Sequence, residues 1–163
     1  PLTNVFNRKA GFDKLRNYIG VDNRRKSQLA ICYTDIDGLK QVNDALGHKS
    51  GDELIGSYVS ILQEVIREGD YIVRLGGDEF AIVLNNADAQ IAELIWSRIK
   101  AKMENLNKQP GRKYLVSGSH GIVTLDENNA ENADELFALA DAKMYTEKRL
   151  HKKTFHVLIE SKT

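Results

Sequence analysis

The stretch from Tyr71 to Leu84, YIVRLGGDEFAIVL, constrains this chain more than any other. Two β-type runs, Tyr71 to Leu75 and Phe80 to Leu84, are separated by Gly76-Gly77-Asp78-Glu79. This reads as a tight β-hairpin whose glycines supply the positive φ that a short turn demands. A hairpin tip is exposed, so Asp78 and Glu79 would be delivered together at a fixed point. Bare backbone at Gly76 and Gly77 would also let a ligand approach closely. Glycine and aspartate dominate turns of every kind, however, and a solvent-facing acidic turn accounts for the same residues.

The flanking segments supply the partners such a hairpin needs. Thr3 to Ile19 reads as a helix, capped by Thr3, with Phe6, Ala10, Phe12, Leu15 and Ile19 on one face. Val21 to Ser27 is a polar, basic connection. Gln28 to Ile36 is a continuous apolar run rich in β-branched and aromatic residues, as expected of a central strand buried on both faces. Leu39 to Leu46 reads as a helix ending at Gly47, and Asp52 to Arg67 as another, with Leu54, Ile55, Tyr58, Ile61, Leu62, Val65 and Ile66 as its apolar stripe. Beyond the hairpin, Asp88 to Leu106 is helical with Ile91, Leu94, Ile95, Ile99 and Met103 inward. Lys113 to Leu125 contains a strand, Asn132 to Leu150 a helix, and Thr154 to Ile159 a last strand. Trp96 and Cys32 read as core, and His48 as a loop residue. The order predicts an α/β (α+β) fold, a mixed central sheet covered by helices in a ferredoxin-like, palm-type arrangement.

Composition narrows the functions open to such a fold. The 163 residues suit one domain, and the abrupt start on Pro-Leu-Thr reads as a piece of a longer protein. Lysine plus arginine and aspartate plus glutamate both number 23, so no overall field favours nucleic acid or a membrane surface. The single cysteine excludes a disulfide framework, and no apolar run approaches the roughly 18 residues that span a bilayer. A cytoplasmic domain is expected, with any membrane anchor lying elsewhere in a parent protein.

The charged residues gather at the strand end and the hairpin tip. If the Gln28–Ile36 strand neighbours the hairpin, Asp35 and Asp37 would face Asp78 and Glu79. Crowded carboxylates need protons or cations to coexist, and oxygen-only ligands point to Mg²⁺ or Mn²⁺. Gly38 turns the strand into a helix whose free N–H groups can anchor phosphate oxygens, and Lys40 can reach a terminal phosphate. These features imply metal-assisted phosphoryl or nucleotidyl transfer. The competing reading has Asp35 and Asp37 as ordinary strand-end caps. A calcium loop fails, because Leu39 and Lys40 stand where a ligand and the obligatory glycine belong.

Gly76-Gly77-Asp78-Glu79-Phe80, preceded by Arg74-Leu75, resembles the signature of the GGDEF-domain diguanylate cyclases. The resemblance extends over essentially the whole chain, residues 1–163, as one GGDEF-type catalytic domain of a longer signalling protein. Pro1-Leu2-Thr3 with Asn7-Arg8 is similar to the family's entry motif, with Asn4-Val5 in place of Gly-Leu. Asp35-Ile36-Asp37, Lys40, Asn43-Asp44, Gly47-His48 and Gly51-Asp52 resemble its nucleotide-binding stretch. Ser119-x-Gly121 resembles its late strand, and Ala140-Asp141, Tyr145 and Lys148 its final helix.

The resemblance implies condensation of two GTP molecules to cyclic di-GMP, with release of pyrophosphate, in a two-fold homodimer whose protomers each offer half a site. It implies two divalent ions per half-site, held by Asp35, the Ile36 carbonyl and Asp78. Glu79 would sit near the attacking 3′-hydroxyl, as a base or a supporting group, with Lys40 on the phosphates. Gly38, Leu39, Gly76, Gly77, Lys148 and Lys152 would bind substrate, and Asn43 and Asp52 would read guanine. A carboxylate accepts from guanine N1–H and its 2-amino group together, a pairing adenine cannot offer. Alternatively Asp52 simply caps its helix. Arg67 and Asp70, with Arg98, resemble an inhibitory site for the product, where Arg67 would fork to guanine O6 and N7 and Asp70 would accept from the other edge. The chain departs from the pattern at His151 and Lys152, which replace Gly-Arg and imply a weaker phosphate clamp. The alternative function is a silent domain that binds GTP or cyclic di-GMP without turnover.

Overall fold

The computed structural model describes residues 5–21, 28–125 and 132–160, with side chains over 5–19, 28–125 and 132–152. Its elements run β1 (Val5–Asn7), α1 (Arg8–Val21), β2 (Leu29–Ile36), α2 (Leu39–Leu46), α3 (His48–Val65), β3 (Tyr71–Arg74), β4 (Glu79–Asn85), α4 (Ala89–Asn107), β5 (Gly118–Thr124) and α5 (Ala133–Glu160). The strands form one mixed sheet in the order β1-β3-β4-β2-β5; β1 is parallel to β3 and the other pairs are antiparallel. The mixed sheet flanked by helices is the expected class.

Strand alternation divides the core in two. Every residue of β2 is buried. Ala30 and Cys32 pack with Tyr58, Ile82, Trp96 and Ile99 on the α3/α4 face, whereas Leu29, Ile31 and Tyr33 pack with Phe12, Leu15, Val83, Phe137 and Met144 on the α1/α5 face. β4 alternates likewise, with Phe80 and Ile82 on one side and Ala81 and Val83 on the other.

The elements depart from the sequence reading at several points outside the hairpin. Val5 and Phe6 are a strand, paired with Ile72 and Val73, and the helix starts at Arg8; pairing along β3 outweighs local helical phase. Asn7 caps that helix by accepting from Ala10 N–H at 2.8 Å, while Thr3 lies outside the described residues, as does 22–27 of the basic connection. Helix α3 starts at His48, because Gly47 (φ 91°) already separates it from α2, so Asp52 lies inside the helix and is not its cap. Residues 154–159 continue α5: no glycine or proline follows Asn132, and extending a helix needs no new turn. Leu94 is 52% exposed, because Ala92, Ile95, Trp96, Ile99 and Met103 complete the buried stripe without it. Trp96 and Cys32 are core as expected.

Replacing Asn7 with alanine removes the cap acceptor and should lower the unfolding free energy by about 1 kcal/mol. Asn7→Asp should retain most of it, and urea denaturation of both variants measures the difference.

Candidate active site

The β2 register fixes the site. Asp35 stands opposite Glu79 on β4 and opposite Ser119 on β5. Just beyond the ladder, Ile36 N–H donates to the Asp78 carbonyl at 2.9 Å. By alternation Asp35 and Glu79 share the α1/α5 face with Tyr33, whose hydroxyl donates to Glu79 Oε2 at 3.1 Å. Carboxylate oxygens of Asp35, Asp78 and Glu79 all lie within 4.8 Å of one another. The strand end and the hairpin tip therefore converge as predicted.

The hairpin is built differently from expectation. Neither Gly76 nor Gly77 takes a positive φ. A wider loop, residues 75–78, is closed by Leu75 N–H and Gly76 N–H donating to the Glu79 carbonyl at 2.9 and 3.3 Å. Arg74 reinforces it by donating to the Gly76 and Gly77 carbonyls at 3.2 and 3.3 Å. A Cβ on Gly77 would meet nothing within 4 Å, so what the glycines contribute is open approach to the backbone.

Asp35 and Asp37 have different surroundings. Asp35 is 4% exposed, and its Oδ1 is buried with no hydrogen-bond partner. Lys148, reaching over from α5, places its Nζ 2.6 Å from Asp35 Oδ2, 3.9 Å from Asp78 Oδ2 and 3.5 Å from the Ile36 carbonyl. Burial pushes the Asp35 carboxyl up to about 7; Asp78 adds to the rise and Lys148 opposes it. Asp37 does not face the hairpin. It turns to β5 and α5, accepting from Ser119 Oγ at 2.7 Å and Ser117 Oγ at 2.8 Å, with His151 Nδ1 at 3.1 Å. Tyr33, Ser117, Ser119 and His151 thus support the acidic site, yet the sequence reading assigned only Ser119 to a motif and took His151 as a mere departure. Strand parity would have placed Tyr33, whereas no local pattern marks Ser117.

Between strand and hairpin, Gly38 adopts φ 73°, a left-handed conformation that glycine takes without strain, and starts α2. A cavity of about 190 Å³ opens there, lined by Ile36, Asp37, Gly38, Leu39, Lys40, Gln41, Asp78, Lys148 and Lys152. Seven of the predicted site residues therefore line one space. Lys40 is exposed and lies 3.8 Å from Asp44. Asn43 lies against Gly51, where a Cβ would strike its Oδ1, and so sits beside the exposed Asp52.

Of the predicted inhibitory residues, Arg67 and Asp70 pair in the loop before β3. Asp70 is 3% exposed and accepts from Arg67 N–H at 2.9 Å, Arg67 Nε at 3.1 Å, Arg67 Nη2 at 3.4 Å and Asn85 N–H at 3.0 Å. Both its oxygens are engaged within the loop, so it aims Arg67 where a free acceptor had been expected. Arg98 is exposed on α4.

The donor set suits a hard divalent cation: it is all oxygen, and Asp35 presents a buried, unpartnered one. Among the described residues no helix is long and apolar enough to cross a membrane.

Comparison with known proteins agrees with this geometry. The family model described as "Diguanylate cyclase, GGDEF domain" matches residues 1–154. The probable diguanylate cyclase DgcT of Escherichia coli (strain K12) is 36% identical over 151 residues, covering 91% of this chain and 33% of that protein. The cyclic di-GMP phosphodiesterase NbdA of Pseudomonas aeruginosa is 30% identical over 147 residues, 90% of this chain and 19% of that protein. The chain thus spans a third or less of either relative. Among solved structures, the GGDEF domain of P. aeruginosa TpbB (YfiN) is similar at TM-score 0.82 and 33% identity, over 91% of this chain and 93% of that one. The GGDEF domain of Caulobacter crescentus DgcB in complex with c-di-GMP is similar at TM-score 0.80 and 25% identity, over 91% and 88%.

Because Asp35 must lose its proton to hold an ion, Mn²⁺ affinity should be full above pH about 7. Below that it should fall roughly tenfold per pH unit. Titrations from pH 8.5 to 5.5 followed by electron paramagnetic resonance test the slope.

Proposed function

This chain belongs to the GGDEF domain family of diguanylate cyclases, and from that premise we propose that it condenses two GTP molecules into cyclic di-GMP with release of pyrophosphate. The observation that carries the reading is the convergence of Asp35, Asp78 and Glu79 at the rim of a cavity that also takes in the Gly38 turn, Lys40, Lys148 and Lys152. Asp35, the Ile36 carbonyl and Asp78 would hold the divalent ions, Mg²⁺ or Mn²⁺. Bound there, the ions would neutralise triphosphate charge and polarise the α-phosphorus.

This chain's own groups do the rest. The Gly38–Leu39 backbone at the start of α2 presents N–H groups to phosphate oxygens, and the lysine ammonium groups offset the remaining charge. Glu79, which accepts from the Tyr33 hydroxyl, would take the proton of an incoming 3′-hydroxyl. Each of the two transfers forms a 3′-oxygen–phosphorus bond and breaks the bond to pyrophosphate. Asn43 and Asp52, on adjoining helices, read guanine. One domain presents one nucleotide, so turnover requires two copies facing each other about a two-fold axis. Arg67, aimed by Asp70, forks to guanine of the product and restrains the enzyme.

A second reading, binding without turnover, is favoured by one observation: a relative named for cyclic di-GMP hydrolysis carries a matching segment. Incubation with GTP and Mg²⁺ at dimerising concentrations, with nucleotides resolved by chromatography, separates the two. Cyclic di-GMP and pyrophosphate are expected, and their absence favours binding alone. Asp78→Ala should lower turnover by on the order of a thousandfold with an unchanged circular dichroism spectrum; a wild-type rate would remove Asp78 from the metal site. Arg67→Ala should raise the half-inhibitory concentration of cyclic di-GMP by roughly tenfold or more, and unchanged inhibition would exclude the loop site.

A further inference from the structure

The ammonium of Lys148 lies among the three oxygen groups read above as metal ligands. It is 2.6 Å from Asp35 Oδ2, 3.5 Å from the Ile36 carbonyl and 3.9 Å from Asp78 Oδ2. It also belongs to the cavity wall, beside Lys40 and Lys152. Asp35 is 4% exposed and its second oxygen is shielded from solvent, so an ion cannot ligate it fully while the ammonium stays. We infer that Lys148 is an exchangeable counter-ion: it holds the metal seat in the free protein, and a divalent ion binds by displacing it toward the phosphate cavity. The inference rests on the metal reading given above and adds a step before nucleotide binding.

The chemistry favours exchange over permanent occupancy. Three carboxylates converge here, and one ammonium neutralises a single charge where a divalent ion neutralises two. An ammonium offers three donors but cannot draw several carboxylate oxygens into one coordination shell as a metal does. The four-carbon stem of lysine lets the charge swing while its backbone stays fixed in α5, where the neighbouring Met144 and Ala140 are buried. Emptying the seat without refilling it would leave Asp35 uncompensated in the core, which is costly. Lys148 therefore keeps the seat open and pre-shaped in the metal-free protein, then supplies its charge to the substrate.

Two measurements on the 163-residue chain without nucleotide test this. Mn²⁺ binding is followed at pH 8.5 by electron paramagnetic resonance for wild type, Lys148→Met and Lys148→Arg. Removing the competing cation should tighten Mn²⁺ binding by roughly tenfold in Lys148→Met, about the effect of one hydrogen bond to a charged group. Lys148→Arg should stay near wild type. Thermal melting in EDTA should show Lys148→Met less stable than wild type, with the gap closing on addition of Mn²⁺. Wild type binding Mn²⁺ with Lys148→Met unchanged or weaker overturns the inference and leaves the metal site standing, as does a melting gap that Mn²⁺ does not close. No Mn²⁺ binding by either protein removes the metal site and the inference together.

Discussion

The pairing register of β2 governs everything the site can do. Because side chains alternate across a strand, a slip of one residue would send Asp35 to the α3/α4 face and bring Thr34 or Ile36 into its place. Two apolar clusters prevent it. Leu29, Ile31 and Tyr33 fit one side and Ala30, Cys32 and Ile36 the other, with β2 buried along its whole length. A slip would have to repack both cores at once. The arrangement of the acidic site is thus held by apolar packing, and the carboxylates, which repel one another, need contribute nothing to their own alignment.

The parts legible in the sequence were those where one strong local signal acted alone. The β2 run, the span of α2 with its break at Gly47, and the pairing of strand end with hairpin tip all followed from patterning and punctuation. The parts that escaped depend on partners distant in the chain. Val5 and Phe6 are a strand only because β3 offers an edge. Residues 154–159 look β-like, yet nothing breaks the helix leading into them. Gly76 and Gly77 pointed to the right place for the wrong reason: the turn has room for side chains at both, and among the described glycines the positive φ angles fall at Gly38, Gly47, Gly69 and Gly111.

Asp35 and Asp37 show why composition alone could not divide the labour of the acidic residues. They sit two apart, Asp35 inside β2 and Asp37 just past its last residue, where the chain turns toward α2. One is left with an unpartnered oxygen, a pKa raised by burial and the Lys148 ammonium beside it. The other receives two serine hydroxyls and an imidazole, so both of its oxygens already have partners within the protein. Asp37 instead ties the turn to β5, where its own N–H also donates to the Ser117 carbonyl at 2.9 Å. The second acid thus holds the turn that follows the first.

Helix α5 supplies the decisive group to each of these acids, Lys148 to Asp35 and His151 to Asp37, three residues apart on one face. His151 lies also within 3.0 Å of Ser119 Oγ and 3.8 Å of Glu147. Glu147 in turn pairs with His120 at 2.8 Å, and these histidines pull its carboxyl below the usual range against the upward push of burial. The family pattern has glycine at position 151, which could brace nothing through a side chain. Here the imidazole joins α5 to the turn directly, while Lys152 keeps a positive charge on the cavity wall. The departure from the family pattern therefore puts a bracing imidazole at position 151 and an ammonium at position 152.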